Sequence, residues 1–152
     1  MPQEGGPGYS STGSRDYYLA IFDALRDRRD VLIVDKRGTG RSDPIDCPDL
    51  QTGSTDLDAV AACAKQLGDT AWFYGTDFAA NDIVAVMDAL AIDEADFYGD
   101  SYGTFVGQVL AGLYPNRLRS IILDSAHYVK NSRVTALARF PHSAKGEDRV
   151  LP

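Results

Sequence analysis

The sequence contains no uninterrupted apolar run of the roughly 20 residues that a membrane-spanning helix needs. Residues 1–6 hold neither the basic segment nor the apolar segment of a secretory signal peptide. Basic residues are in the minority, because 15 lysines and arginines stand against 22 acids, for a net charge of −7. Proteins that bind along a phosphate backbone need the opposite balance. We therefore expect neither nucleic acid nor an anionic membrane surface as a partner.

Cysteine and histidine are scarce as well. The chain has two of each, Cys47, Cys63, His127 and His142, and none of them stands at the spacing of a zinc site. We therefore expect no metal and no cofactor. A disulfide between the two cysteines would need an oxidising compartment. The alternative is two unrelated small core residues, so the sequence leaves the cellular location open.

The sequence does hold enough apolar material for one folded domain. Its 152 residues are 44% hydrophobic and 24% charged, which is too apolar for a disordered chain. Short apolar runs alternate with segments of helical periodicity. We expect buried strands at 31–34 and 118–123, a short strand at 95–98, and helices at 15–28, 56–66, 78–90 and 104–114. This alternation predicts an α/β domain at 1–130, with a parallel sheet flanked by helices, and an irregular, poorly ordered tail at 131–152.

The most specific motif is GDSYG at residues 99–103, a G-x-S-x-G sequence between a predicted strand and a predicted helix. In such a turn the serine Oγ stands above the sheet, and both glycines are needed because backbone approaches backbone on either side. A helix that begins behind Ser101 would direct its N–H groups at the site and favour developing negative charge. The alternative interpretation is a plain glycine turn.

Two further segments precede this motif, GGPGYS at residues 5–10 and DKRGTGRS at residues 35–42. In this order, the three segments resemble the oxyanion loop, the D-x-R-G-x-G-x-S turn and the nucleophile elbow of the α/β-hydrolases. The resemblance covers about residues 5–129. It is closest to the proline iminopeptidase and tripeptidyl aminopeptidase branch, whose members are serine exopeptidases and are often exported.

The resemblance implies roles for particular residues. Ser101 is expected to be the nucleophile. The N–H groups of Tyr102 and Gly6, with Gly5 as the alternative to Gly6, are expected to bind the oxyanion. Glu4 stands where the family often has histidine, which leaves open how the start of this loop is held.

The expected acid and base follow the nucleophile in the chain, because the family has the order serine, acid, histidine. Asp124 and His142 follow Ser101 in that order and are the candidates. His127, three residues after Asp124, is expected to be an outward-facing loop residue. The family also has a strand before the glycine loop, and a helical cap and further strands after the nucleophile. In this sequence only residues 1–4 precede the loop, and one further strand is predicted after Ser101. We therefore expect a partial α/β-hydrolase fold, truncated at both ends.

The resemblance implies a serine hydrolase that acts through an acyl-enzyme. Its expected activity is that of an aminopeptidase, with a peptide or a small ester or amide as substrate. One alternative is a catalytically inactive fragment that has the nucleophile without a base, and another is an esterase or lipase. A nucleotide-binding domain is disfavoured, because residues 38–43 lack the third glycine of G-x-G-x-x-G and no P-loop is present.

Overall fold

Three parallel strands form the sheet in the computed structural model, which describes residues 1–51 and 56–126. The strands are β1 (Pro2–Gln3), β2 (Ala95–Asp100) and β3 (Leu118–Asp124), and they lie in the order β1-β2-β3. Tyr98 in the central strand pairs with Pro2 on one side and with Ile122 on the other. The carboxyl ends of all three strands therefore lie at the same edge of the sheet.

Helices flank this sheet, as the alternating sequence pattern predicts. They are α1 (Arg15–Ile21), α2 (Pro48–Gln51), α3 (Leu57–Leu67), α4 (Thr76–Ala89) and α5 (Tyr102–Leu113). Short 3-10 segments are present at Asp23–Leu25, Gly68–Tyr74 and Pro115–Arg117. The predicted class, a parallel α/β sheet flanked by helices, is confirmed.

The core lies where α4 and α5 pack against the sheet and against each other. Its fully buried side chains come from both helices and from the central strand: Ala80, Ile83, Met87, Phe97, Val106 and Leu110. Apolar residues spaced three and four apart place these side chains on one face of each helix. The GDSYG turn therefore joins two elements of the core, β2 and α5.

The prediction of a buried strand at 31–34 is wrong. These residues form no strand, and only Val34 among them is buried. The neighbouring strand β1 has only two residues and pairs with β2. Instead of a backbone ladder, the side-chain amide of Gln3 donates to the carbonyl oxygen of Val34 at 2.9 Å. This side-chain bond, together with the packing of Val34 in the core and of Leu32 against it, places the segment beside the sheet.

The predicted burial of 118–123 is also wrong, although the strand itself is present. Most of β3 is exposed, and Ile122 is 58% exposed. Among the described residues β3 pairs only with β2, so its other edge lies against no strand. A strand is buried only when other parts of the protein pack against it, and an apolar sequence alone does not supply those neighbours.

The first helix is shorter than the predicted range 15–28. It ends at Ile21, and Ser14 stands at its N-cap without a side-chain capping bond. Tyr18 is fully buried, but Ile21 and Leu25 are 43% and 53% exposed. Residues 26–30 (RDRRD) carry no apolar side chain that could extend the packed face, so nothing holds a longer helix together.

Cys47 and Cys63 form a disulfide, so the first of the two alternatives for the cysteines is present in the structure. The bond joins the loop before α2 to α3, whose own residues are not buried. In the described ranges, no helix is long and apolar enough to cross a membrane. The predicted tail at 131–152 lies outside the described residues, and so do His127 and His142.

Candidate active site

Ser101 occupies the turn between the end of β2 and the start of α5. Its φ is +44°, a left-handed conformation that a side-chain-bearing residue rarely adopts. Two backbone bonds hold the turn: the Ser101 N–H donates to the Asp124 carbonyl at 3.0 Å, and the Thr104 N–H donates to the Ser101 carbonyl at 3.0 Å. The serine is thereby fixed at the carboxyl edge of the sheet, at the N-terminus of a helix.

The two glycines of the motif allow a close backbone approach. A Cβ placed on Gly103 would overlap the carbonyl oxygen of Gln3 and lie 2.9 Å from its carbonyl carbon. A Cβ placed on Gly99 would overlap the carbonyl oxygen of Gly103 and lie 2.8 Å from the Thr104 nitrogen. No side chain fits at either position without moving backbone. The structure therefore agrees with the expectation that backbone approaches backbone at both glycines.

The glycine loop lies directly beside Ser101. A Cβ on Gly5 would stand 2.9 Å from the Ser101 Cβ, so only glycine allows this approach. Gly6 has a φ of +35°, and its carbonyl accepts the Tyr9 N–H at 2.9 Å. The structure thus brings the predicted residues Gly5, Gly6, Ser101 and Tyr102 into one region.

Glu4, which stands where the family often has histidine, is held at the start of the glycine loop by three hydrogen bonds. Its N–H donates to Ser11 Oγ at 3.0 Å, and its carboxylate accepts the Tyr18 hydroxyl at 3.1 Å. Its carbonyl oxygen accepts a bond from Lys36 Nζ at 3.1 Å. Three different segments therefore fix this residue.

Asp35 connects the glycine loop to the DKRGTGRS turn. Its carboxylate accepts the N–H and the hydroxyl of Thr12 at 2.8 and 2.6 Å, and the N–H of Arg41 at 2.8 Å. Ser10 Oγ adds a bond at 3.0 Å. Burial raises the pKa of Asp35, but the hydrogen bonds from Thr12, Arg41 and Ser10 outweigh it and leave the pKa below its usual value. Asp35 is thus a charged anchor for both segments.

Arg37 attaches the same turn to α4. Its guanidinium forms a two-pronged pair with Asp82, at 2.6 Å from Nε and 2.5 Å from Nη2, and lies 5.2 Å from the centre of the Phe78 ring. The hydrogen bonds to Asp82 raise the pKa of the guanidinium. Arg37 therefore ties the DKRGTGRS turn to α4 through Asp82 and Phe78.

Asp124 lies one strand away from Ser101. It is the last residue of β3, opposite Asp100 in the register. Its carboxylate accepts the hydroxyl of Tyr98 at 3.0 Å and that of Ser125 at 3.1 Å. The two candidate acid and nucleophile residues are therefore neighbours through the Ser101–Asp124 backbone bond.

Asp100 is a feature of the site that the sequence reasoning missed. Its Oδ1 atom is buried and has no hydrogen-bond partner in the part of the chain described here. Burial, and then the nearby carboxylate of Glu4, raise the pKa of Asp100, although the Gly5 amide and the Tyr18 hydroxyl act against them. In the sequence, the only signal for this buried carboxyl group was the position of Asp100 between Gly99 and Ser101 in the turn.

Asp100→Asn is expected to raise the free energy of unfolding at pH 7 by on the order of 1 kcal/mol. The folded-state pKa of Asp100 lies above its usual 3.8, so the folded chain binds the extra proton between those two values. Stability contributed by the protonated form is therefore lost as pH rises through that window, and an uncharged amide avoids the loss. Urea unfolding from pH 4 to pH 8 measures the difference.

The control for this prediction is a variant whose free energy of unfolding at pH 7 should change in the opposite direction. Hydrogen bonds from Arg119 lower the pKa of Asp96 to about 2, so Asp96→Asn should lower stability at pH 7. An Asp100→Asn variant that is less stable than the parent at pH 7 would contradict the argument.

Comparisons with known proteins agree with the fold described above. A family model described as alpha/beta hydrolase fold matches residues 3–149. The chain is 28% identical over 148 residues to serine protease Hip1 of Mycobacterium tuberculosis, covering 80% of this chain and 28% of that protein. It is 28% identical over 116 residues to a tripeptidyl aminopeptidase of Streptomyces lividans, covering 63% of this chain and 22% of that protein.

A third relative has a different activity in its name. The putative carbamate hydrolase RutD of a Caulobacter strain is 32% identical over 111 residues, covering 73% of this chain and 32% of that protein. The chain thus spans less than a third of the length of these relatives. The family match extends over nearly the whole chain, and it agrees with a parallel sheet that carries a serine turn at its carboxyl edge. The chain belongs to the alpha/beta hydrolase fold family.

Proposed function

We propose that Ser101 is the nucleophile of a serine hydrolase that cleaves an amide or ester through an acyl-enzyme. The observation that carries this proposal is the left-handed Ser101 at the junction of β2 and α5, with Gly5 against its Cβ. In the described residues neither the Tyr102 N–H nor the Gly6 N–H donates to a backbone acceptor outside the helices and strands. These two N–H groups are the proposed donors to the developing oxyanion.

The reaction has two steps. Ser101 Oγ adds to the substrate carbonyl while its proton passes to a base, and collapse of the tetrahedral intermediate expels the amine or alcohol with that proton. Water then attacks the acyl-enzyme, again through the base, and releases the acid and the serine hydroxyl. The tripeptidyl aminopeptidase relative supports a peptide with a free amino terminus as the substrate class. The carbamate hydrolase relative supports the same attack on a carbamate carbonyl.

Labelling of the purified chain with a fluorophosphonate tests the proposal. The expected result is a covalent adduct that mass spectrometry assigns to Ser101. A folded chain that forms no adduct would overturn the proposal and favour the alternative of a catalytically inactive chain, in which the serine has no base.

Asp124 and His142 are proposed as the acid and the base. Asp124 is supported by its place at the end of the strand next to Ser101. Asp124→Asn and His142→Ala should each slow fluorophosphonate labelling by about 100-fold or more, because each removes part of the proton-transfer machinery. The matched control is His127→Ala. If His142→Ala labels as fast as the parent, His142 is not the base.

A further inference from the structure

Lys36 holds both ends of the glycine loop. Its side chain is buried, with 5% of the residue exposed. The ammonium donates to the carbonyl oxygen of Glu4 at 3.1 Å and to that of Tyr9 at 3.4 Å. These two carbonyls flank the loop that carries Gly5 and Gly6, so one cation fixes the distance between its two ends.

The same ammonium also faces the start of α5. It lies 5.7 Å from the centre of the Tyr102 ring, a cation–π distance. The Tyr102 hydroxyl in turn shares a 2.7 Å hydrogen bond with Thr76 Oγ1 on α4. Lys36 therefore contacts both segments whose N–H groups are proposed to bind the oxyanion.

A buried ammonium is costly, so its presence calls for an explanation. Burial lowers the pKa of Lys36, and the carboxylates of Glu4, Asp35 and Asp100 act against that shift. A neutral donor could satisfy the two carbonyl oxygens, whereas only a cation also attracts the Tyr102 ring and the surrounding acids.

We propose that Lys36 is a positioning residue for the oxyanion site, which holds the Gly6 and Tyr102 amides at a fixed separation through its charge. This inference rests on the proposed function. This role requires no contact between Lys36 and the substrate. It acts through the glycine loop on one side and through the Tyr102 ring on the other.

Fluorophosphonate labelling rates of the parent chain and of Lys36→Met, measured from pH 7 to pH 10.5, test the proposal. Methionine has a similar length and no charge, so the variant should keep the fold. At pH 7.5 it should label about 10-fold more slowly, because a small misplacement of the amides is expensive for catalysis. The matched control Lys65→Met removes an exposed lysine on α3 and should label like the parent.

The pH profile separates a charge-dependent role from simple packing. As pH rises through the lowered pKa of Lys36, the parent loses its ammonium and its rate should converge on that of Lys36→Met. A constant ratio of the two rates over the whole range, or equal rates at pH 7.5, would overturn the proposal.

Hydrogen exchange distinguishes failure of this inference from failure of the proposed function. The Glu4 and Tyr9 amides donate within the loop segment, to Ser11 Oγ and to the Gly6 carbonyl. Both should exchange faster in Lys36→Met than in the parent. If these amides exchange faster in Lys36→Met but the parent chain forms no Ser101 adduct, the positioning role of Lys36 stands and the proposed hydrolase function is rejected. Unchanged exchange would reject the role of Lys36 whether or not Ser101 is labelled.

Discussion

Ser101→Ala is expected to abolish fluorophosphonate labelling of this chain, with a fall in rate of at least about 1,000-fold. The change removes only Oγ, and alanine keeps a Cβ in the same left-handed turn. The fold should therefore persist with the strain that the serine bears. Gel fluorescence and intact-protein mass spectrometry measure the loss of the adduct.

The matched control for this prediction is Ser120→Ala. Ser120 is exposed near the start of β3, at the opposite end of the sheet, where its hydroxyl donates to Asp96 at 2.7 Å. That variant should label at the parent rate. Adduct formation that survives in Ser101→Ala, with the fold intact, would show that another nucleophile reacts and would remove the basis of the proposed function.

Gly103→Ala is expected to destabilise the chain by about 3 kcal/mol or more. An alanine inside a helix normally stabilises it by about 1 kcal/mol relative to glycine. Here the new methyl group would overlap the Gln3 carbonyl and push β1 away from α5. Because the obstacle is backbone rather than a flexible side chain, rotation of a side chain cannot relieve it.

Gly8→Ala is the matched control, because a Cβ at Gly8 would meet no atom within 4 Å. Its free energy of unfolding should stay within about 0.5 kcal/mol of the parent. Urea unfolding followed by circular dichroism measures both variants. Equal stability of Gly103→Ala and the parent would mean that β1 does not pack on α5 as described.

The parts that were predictable from sequence are those in which local pattern and tertiary packing agree. The helices α4 and α5 each have apolar residues on one face, and in each helix this apolar face is buried. The GDSYG turn was recognisable because its glycines and serine meet a steric requirement that few residues satisfy. By contrast, the apolar run at 31–34 has the composition of a strand, but strand formation also needs a partner ladder, which the two residues of β1 do not provide.

Lys36 and Asp100 were not predictable as site features for a related reason. Both lie inside recognised motifs, yet their importance comes from residues that are distant in sequence. Lys36 bonds to Glu4 and Tyr9, while Asp100 is affected by Glu4 and Tyr18. Charge and burial at such positions depend on the assembled fold, which a motif does not describe.

The left-handed backbone at Ser101 sets stability and chemistry against each other at a single position. A residue with a side chain in such a conformation costs on the order of 1–3 kcal/mol. Glycine adopts it without that cost but has no hydroxyl. A lineage selected for folding alone would therefore drift toward glycine at position 101, whereas a lineage that depends on hydrolysis must accept a less stable protein and recover the deficit elsewhere in the fold.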